Sequence, residues 1–152
     1  MIFINWFYEL LFNHMLWNAV LAWFLAQTIK LILHFIAYKE LNIRILRESG
    51  GMPSSHSAII CAISVSIGQI EGFGSSMFAL SCVVAMIVMY DAMGVRRAAG
   101  EQGKVLNKLL EMLNVSDQTQ TALKEVVGHK PLEVFAGAVL GILTSTFLYL
   151  LI

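Results

Sequence analysis

Charge is what this sequence has least of. Only 13% of its residues are Asp, Glu, Lys or Arg, and the formal net charge is zero. A chain with no net positive field has nothing to draw a polyanion, so nucleic acid is not an expected partner. Cysteine is almost absent too: Cys61 and Cys82 stand apart inside apolar runs. Such a pair reads as two small buried thiols rather than a disulfide framework. The opening MIFINWFYELLF has neither a basic n-region nor a small-residue cleavage site, so it does not read as a secretory signal. There is no internal repeat and no low-complexity tract. Asp91, Glu101 and Glu133 offer only scattered carboxylates, not a tight metal-binding motif, and no metal or other cofactor is expected.

Apolar side chains are in excess. They make up 58% of the chain, with a mean hydropathy of +0.74, against about 45–50% in soluble domains. This predicts an all-α fold: an integral-membrane helical bundle forming a single domain over residues 1–152. A spanning helix needs about 20 mostly apolar residues. Four candidate spans are found at 15–38, 56–71, 74–93 and 132–152, the second short and mildly polar. Residues 1–12 read as an interfacial helix or a further crossing, with Trp6 and Tyr8 suited to the headgroup level. Gly68 with Gly72, and Gly137 with Gly141, have the small-xxx-small spacing that permits close helix contact in lipid.

Nine of the ten Lys and Arg residues fall in two loops, between spans one and two and between spans three and four; the exception is Lys30. With four spans these loops share one side, which the positive-inside rule makes cytoplasmic. Within the second loop, GKVLNKLLEMLN places Val105, Leu106, Leu109, Leu110 and Leu113 on one helical face and Lys104, Asn107, Lys108 and Glu111 on the other. That is an amphipathic helix, lying either on the membrane or on the protein's own core. SDQTQTALKEVVG then predicts a second short helix, capped by Ser116 or Asp117 and ended by Gly128.

Polar groups inside or at the ends of spans are costly, and this makes them candidates for function. Lys30 either snorkels to the interface or points into a polar site. Asp91 closes span three as a boundary charge or as an ion-pair partner for Arg96 or Arg97. Those adjacent arginines suit bidentate phosphate binding. GGMPSSH reads as a tight turn into a helix N-terminus, where free N–H groups and the hydroxyls of Ser54 and Ser55 form an anion cradle beside His56. His129 and Glu133 are spaced i, i+4 at the start of span four, with Pro131 in its first turn. His14 and His34 read as interfacial or packing residues. Together, Lys30, Arg96, Arg97, Ser54, Ser55, His56 and His129 are expected to meet at one membrane face as a positively charged anion site with two histidines.

Three blocks, GGMPSSHSA, YDAMGVRRAAGEQ and GHKPLEVFAG, resemble the divergent branch of the type-2 phosphatidic acid phosphatase superfamily, related to acid phosphatases and vanadium-dependent haloperoxidases. The superfamily pattern is K-x6-R-P, then P-S-G-H, then S-R-x5-H-x3-D. Pro53-Ser54-Ser55-His56 matches the second motif with Ser for Gly, and His129-x3-Glu133 matches the end of the third with Glu for Asp. Arg96 or Arg97 stands for the third-motif Arg, but residues 98–128 lengthen the Arg-to-His interval, and no Arg-Pro pair exists.

The resemblance implies a membrane phosphatase acting on a lipid phosphate monoester without metal. Lys30, Ser54, Ser55, Arg96 and Arg97 would hold phosphate, with Asp91 grouped beside them. His129 would be the nucleophile, Glu133 its orienting carboxylate, and His56 the acid for the leaving group. The expected setting is a bacterial plasma membrane, with a homo-oligomer compatible with the sequence. The alternative is a non-catalytic protein that binds or translocates lipid phosphate.

Overall fold

In the computed structural model, residues 2–47, 50–112 and 128–151 are described. All their regular elements are helical: α1 (Ile2–Leu11), α2 (His14–Tyr38), a single 3-10 helix (Ile43–Arg47), α3 (Ser55–Glu71), α4 (Ser76–Met93), α5 (Val95–Met112) and α6 (Pro131–Leu151). The short helix expected over 116–128 lies outside the described residues except for Gly128.

Three helices are long and apolar enough to cross a membrane: α2, α4 with its continuation α5, and α6. α2 and α6 coincide with the first and fourth expected spans and α4 with the third, which continues through α5 to Met112. α3 has 17 residues, so at about 1.5 Å per residue it falls short of a full hydrocarbon core. It nevertheless occupies the centre of the bundle, packed against α2, α4 and α6.

The interior is built from small side chains. Ala22, Ala26, Ala58 and Ala62 form its apolar cluster, with Leu140 packed against them, and the largest fully buried side chains are serines: Ser54, Ser57, Ser66 and Ser145. The bulky residues face outward, among them Trp17, Phe24, Ile36, Leu80, Ile87, Phe135 and Phe147. This is the reverse of a soluble core. Lipid tails are as apolar as leucine, so helices gain by close backbone approach rather than by hiding large side chains.

Glycine decides how close that approach is. A methyl group at Gly137 would collide with the Ser54 carbonyl oxygen, and one at Gly141 with the Ala58 carbonyl oxygen. The Gly137/Gly141 spacing therefore is a helix contact, between α6 and α3. The Gly68/Gly72 spacing is not a contact between helix backbones. Gly68 receives the Phe73 and Phe78 rings, while Gly72 has nothing within 4 Å and ends α3 with φ of 93°.

Caps set the helix ends. The side chains of Asn13, Ser54 and Ser75 accept from Leu16, Ser57 and Phe78 N–H groups respectively, satisfying donors that have no intrahelical partner. The amphipathic helix starts earlier than expected. α5 begins at Val95, so Arg96 and Arg97 lie in its first turn, and its buried residues are Gly100 and Gly103.

Candidate active site

Four helix ends bring the predicted residues to one end of the bundle. α2 contributes Lys30. Asn18, Ala22, Ala26 and Lys30 recur every four residues and all are buried, so they form one stripe toward the bundle interior. Lys30 is 9% exposed, which favours the inward reading over snorkelling. Gly51 makes room for it: a Cβ there would lie 2.8 Å from Lys30 Cε, and the backbone has φ of 88°. The paired glycines before Pro53 thus do more than turn the chain.

Ser54 is fully buried and serves the fold. Its Oγ accepts from Ser57 N at 3.4 Å and from Ser57 Oγ at 3.0 Å, and its own N–H donates to Glu133 O at 2.9 Å. Its hydroxyl is therefore a cap, whereas Ser55 and His56, half-buried and exposed, open the first turn of α3.

His129 precedes α6 rather than lying on it, yet the pairing with Glu133 forms. Its Nδ1 is 3.1 Å from Glu133 Oε2, its side chain is 4% exposed, and its backbone N–H donates to Ala92 O at 2.9 Å. Glu133 Oε2 also accepts from Lys130 N at 3.2 Å, fixing the carboxylate at the helix N-terminus, where negative charge is favoured. With Nδ1 held by the carboxylate, Nε2 is the nitrogen left for chemistry.

The long interval between the arginines and His129 closes in space. A Cβ on Gly128 would lie 2.5 Å from Arg97 N and 2.8 Å from Arg96 C. The returning chain therefore lies directly on the α4–α5 junction. Ala92 and Gly128 were missed as site-building residues; the only sequence signal was a glycine next to His129.

The two histidine rings face each other at a centroid separation of 6.3 Å and 65°. Arg96, His129, Lys30 and Asp91 all act electrostatically on His56. Asp91 Oδ2 accepts from Arg96 Nε at 2.7 Å in a half-exposed ion pair. That places Asp91 as the partner of Arg96, one of the two roles its sequence position left open. Arg97 is exposed. Glu101 is paired with Lys104 at 3.0 Å, and among the described residues no three His, Cys, Asp or Glu side chains form a group able to hold a metal.

Of the remaining histidines, His34 packs on Tyr38 with ring centroids 4.7 Å apart, as expected. Cys61 is buried and Cys82 partly so, both as free thiols.

Sequence comparison shows the family. A profile of the Divergent PAP2 family matches residues 11–144, a range that contains every site residue named above. The chain is 41% identical to an uncharacterized membrane protein, YuiD, of Bacillus subtilis (strain 168), over 92% of this chain and 96% of that protein. No solved structure matches it.

Proposed function

This chain belongs to the divergent PAP2 family, and from that premise we propose that it is an integral-membrane phosphatase acting on a lipid phosphate monoester. The observation that carries the reading is the His129–Glu133 pair, 3.1 Å apart, set opposite His56 at 6.3 Å between rings. One histidine is buried and held by a carboxylate, as a nucleophile needs; the other is accessible, as a proton donor to a departing group needs.

His129 Nε2 attacks phosphorus, and a P–N bond forms as the P–O bond to the lipid alcohol breaks. His56 gives its proton to the leaving oxygen. The same imidazole then takes a proton from water, which attacks the phosphohistidine and releases inorganic phosphate. Lys30, Arg96, Arg97 and the N–H groups at the start of α3 balance charge on the equatorial oxygens, the kind of interaction that usually contributes most. Glu133 keeps the proton on Nδ1 and stabilises the ring while it is phosphorylated. The positive-inside rule supports a cytoplasmic site in a bacterial plasma membrane.

A second reading, a protein that binds or translocates lipid phosphate without turnover, draws support from two particulars. Arg96 is already paired with Asp91, and the Ser54 hydroxyl is used as a cap. Phosphate release from short-chain phosphatidic acid, phosphatidylglycerophosphate and polyprenyl phosphate by purified protein separates the two. The phosphatase reading expects release that His129→Ala abolishes. Binding of these lipids with no release from any of them favours the second reading.

A further inference from the structure

A second polar locus lies at the other end of the bundle and shares no residue with the first. Ser66 is ten residues beyond His56 on α3, about 15 Å along the helix. There Asn18 Nδ2 donates to Ser66 Oγ at 2.8 Å, Ser66 Oγ lies 2.8 Å from Ser145 Oγ, and Ser145 Oγ donates to Gln69 Oε1 at 3.2 Å. This chain ties α2, α3 and α6 together. It flanks a cavity of about 500 Å3 lined by His14, Asn18, Ser66, Gln69, Ile70 and Tyr149.

Helix cross-linking alone does not use these groups fully. The carboxamide of Asn18 is 8% exposed, and among the described residues its Oδ1 has no hydrogen-bond partner; nor has Gln69 Nε2. Neither atom is closed off from the surface, since the one fully buried side-chain N or O without a partner among the described residues is Gln27 Oε1; both are therefore open to a polar group entering from the lipid side, where an uncompleted carboxamide is unfavourable. His14 and Tyr149 add a ring nitrogen and a phenol. Among the described residues, no Lys, Arg, Asp or Glu lines the cavity. Uncharged donors and acceptors in alternation match hydroxyl groups rather than a phosphate or an ammonium. The rim is apolar, with Ile70 55% and Tyr149 51% exposed on a surface that otherwise meets lipid.

We propose that this cavity binds an uncharged, hydroxyl-bearing lipid headgroup, of the glyceride or glycolipid kind, held by Asn18, Gln69, His14 and Tyr149 with its chains lying along Ile70 and the bundle surface. The full chain in phosphatidylcholine nanodiscs is to be labelled with a photoreactive diacylglycerol and, separately, a photoreactive phosphatidylcholine. The expected result is saturable diacylglycerol labelling at residues 14–18, 66–70 or 145–149, displaced by unlabelled diacylglycerol and not by added phosphatidylcholine. Asn18→Leu should lower it about tenfold, the loss that one or two hydrogen bonds represent. Because Asn18→Leu also breaks the interhelical chain, Ile70→Trp is the companion variant. It fills the mouth from an exposed position and should lose labelling with thermal stability unchanged. Equal labelling by both probes, or wild-type labelling in a folded Ile70→Trp protein, would overturn the proposal and identify ordinary annular lipid.

Discussion

A methyl group at Gly128 would lie 2.5 Å from the Arg97 amide nitrogen, and the backbone there has φ of 106°. Alanine is therefore penalised twice, by conformation and by contact with backbone that has nowhere to go. Gly128→Ala is expected to destabilise the site by more than about 1 kcal/mol and to displace His129 from Ala92. Loss of activity with the helical circular dichroism intact would show this; unchanged kinetics would mean that the close approach is not needed. His56 offers a different test, of chemistry rather than space. His56→Ala should slow hydrolysis of an alkyl phosphate by about 10²–10⁴-fold. A good leaving group such as p-nitrophenolate needs no proton, so p-nitrophenyl phosphate should still phosphorylate His129. The intermediate should then accumulate, since the base for water is gone. Rapid-quench mass spectrometry reads this directly, and phosphate found on residue 56 of the wild type would reverse the roles.

Helices α4 and α5 meet at Gly94 with Asp91 on one side and Arg96 on the other, joined at 2.7 Å. Half-exposed ion pairs contribute little stability, about 0–1 kcal/mol. Asp91→Asn should therefore leave the melting temperature nearly unchanged. Its effect should fall on ligand affinity: removing a carboxylate next to an anion site frees Arg96, and the KM for a lipid phosphate should fall severalfold. A rise in KM would show instead that Asp91 works by aiming the guanidinium. Between α3 and α6 the determinant is steric. Gly141 lies against the backbone of Ala58 and Ala62, so Gly141→Ala must force the helices apart. Overpacking of this kind costs about 1–3 kcal/mol. Gly72→Ala is the matched control for space, since nothing lies within 4 Å of it, although its positive φ carries its own penalty. A smaller loss of thermal stability at 72 than at 141 is the expected order.

Across the whole molecule, polarity is separated along the bundle. One end gathers Lys30, Arg96, His56 and His129; the other holds an uncharged hydrogen-bonding cavity; the middle is alanine, serine and glycine. Nine of ten Lys and Arg residues lie in the two loops assigned to the first end. If those loops are cytoplasmic, a cysteine placed at position 44 or 108 should resist a membrane-impermeant maleimide in intact cells and react after permeabilisation. Labelling of both positions without permeabilisation would invert the topology and move the proposed phosphate site to the outer leaflet.

The sequence by itself determined the membrane setting, the ends of α2, α4 and α6 to within two residues, and the identity of the residues that meet at the charged end. Those features follow from composition, from periodicity and from residue chemistry, all of which are local. It left Lys30 undecided between inside and outside, and Asp91 between boundary charge and partner, because a side chain's direction depends on which neighbouring helix its stripe faces. It gave Gly68/Gly72 and Gly137/Gly141 the same weight, although only the second pair meets another helix backbone. It counted Ser54 among the phosphate ligands but gave no sign that the same hydroxyl also caps α3, accepting from Ser57. Tertiary structure also decided that some thirty residues between the arginines and His129 do not separate them, since Gly128 returns onto the Arg96–Arg97 backbone. Distance along a chain is set by sequence, but distance in space is set by which backbones can touch, and here that was fixed by glycines whose partners lie on other helices.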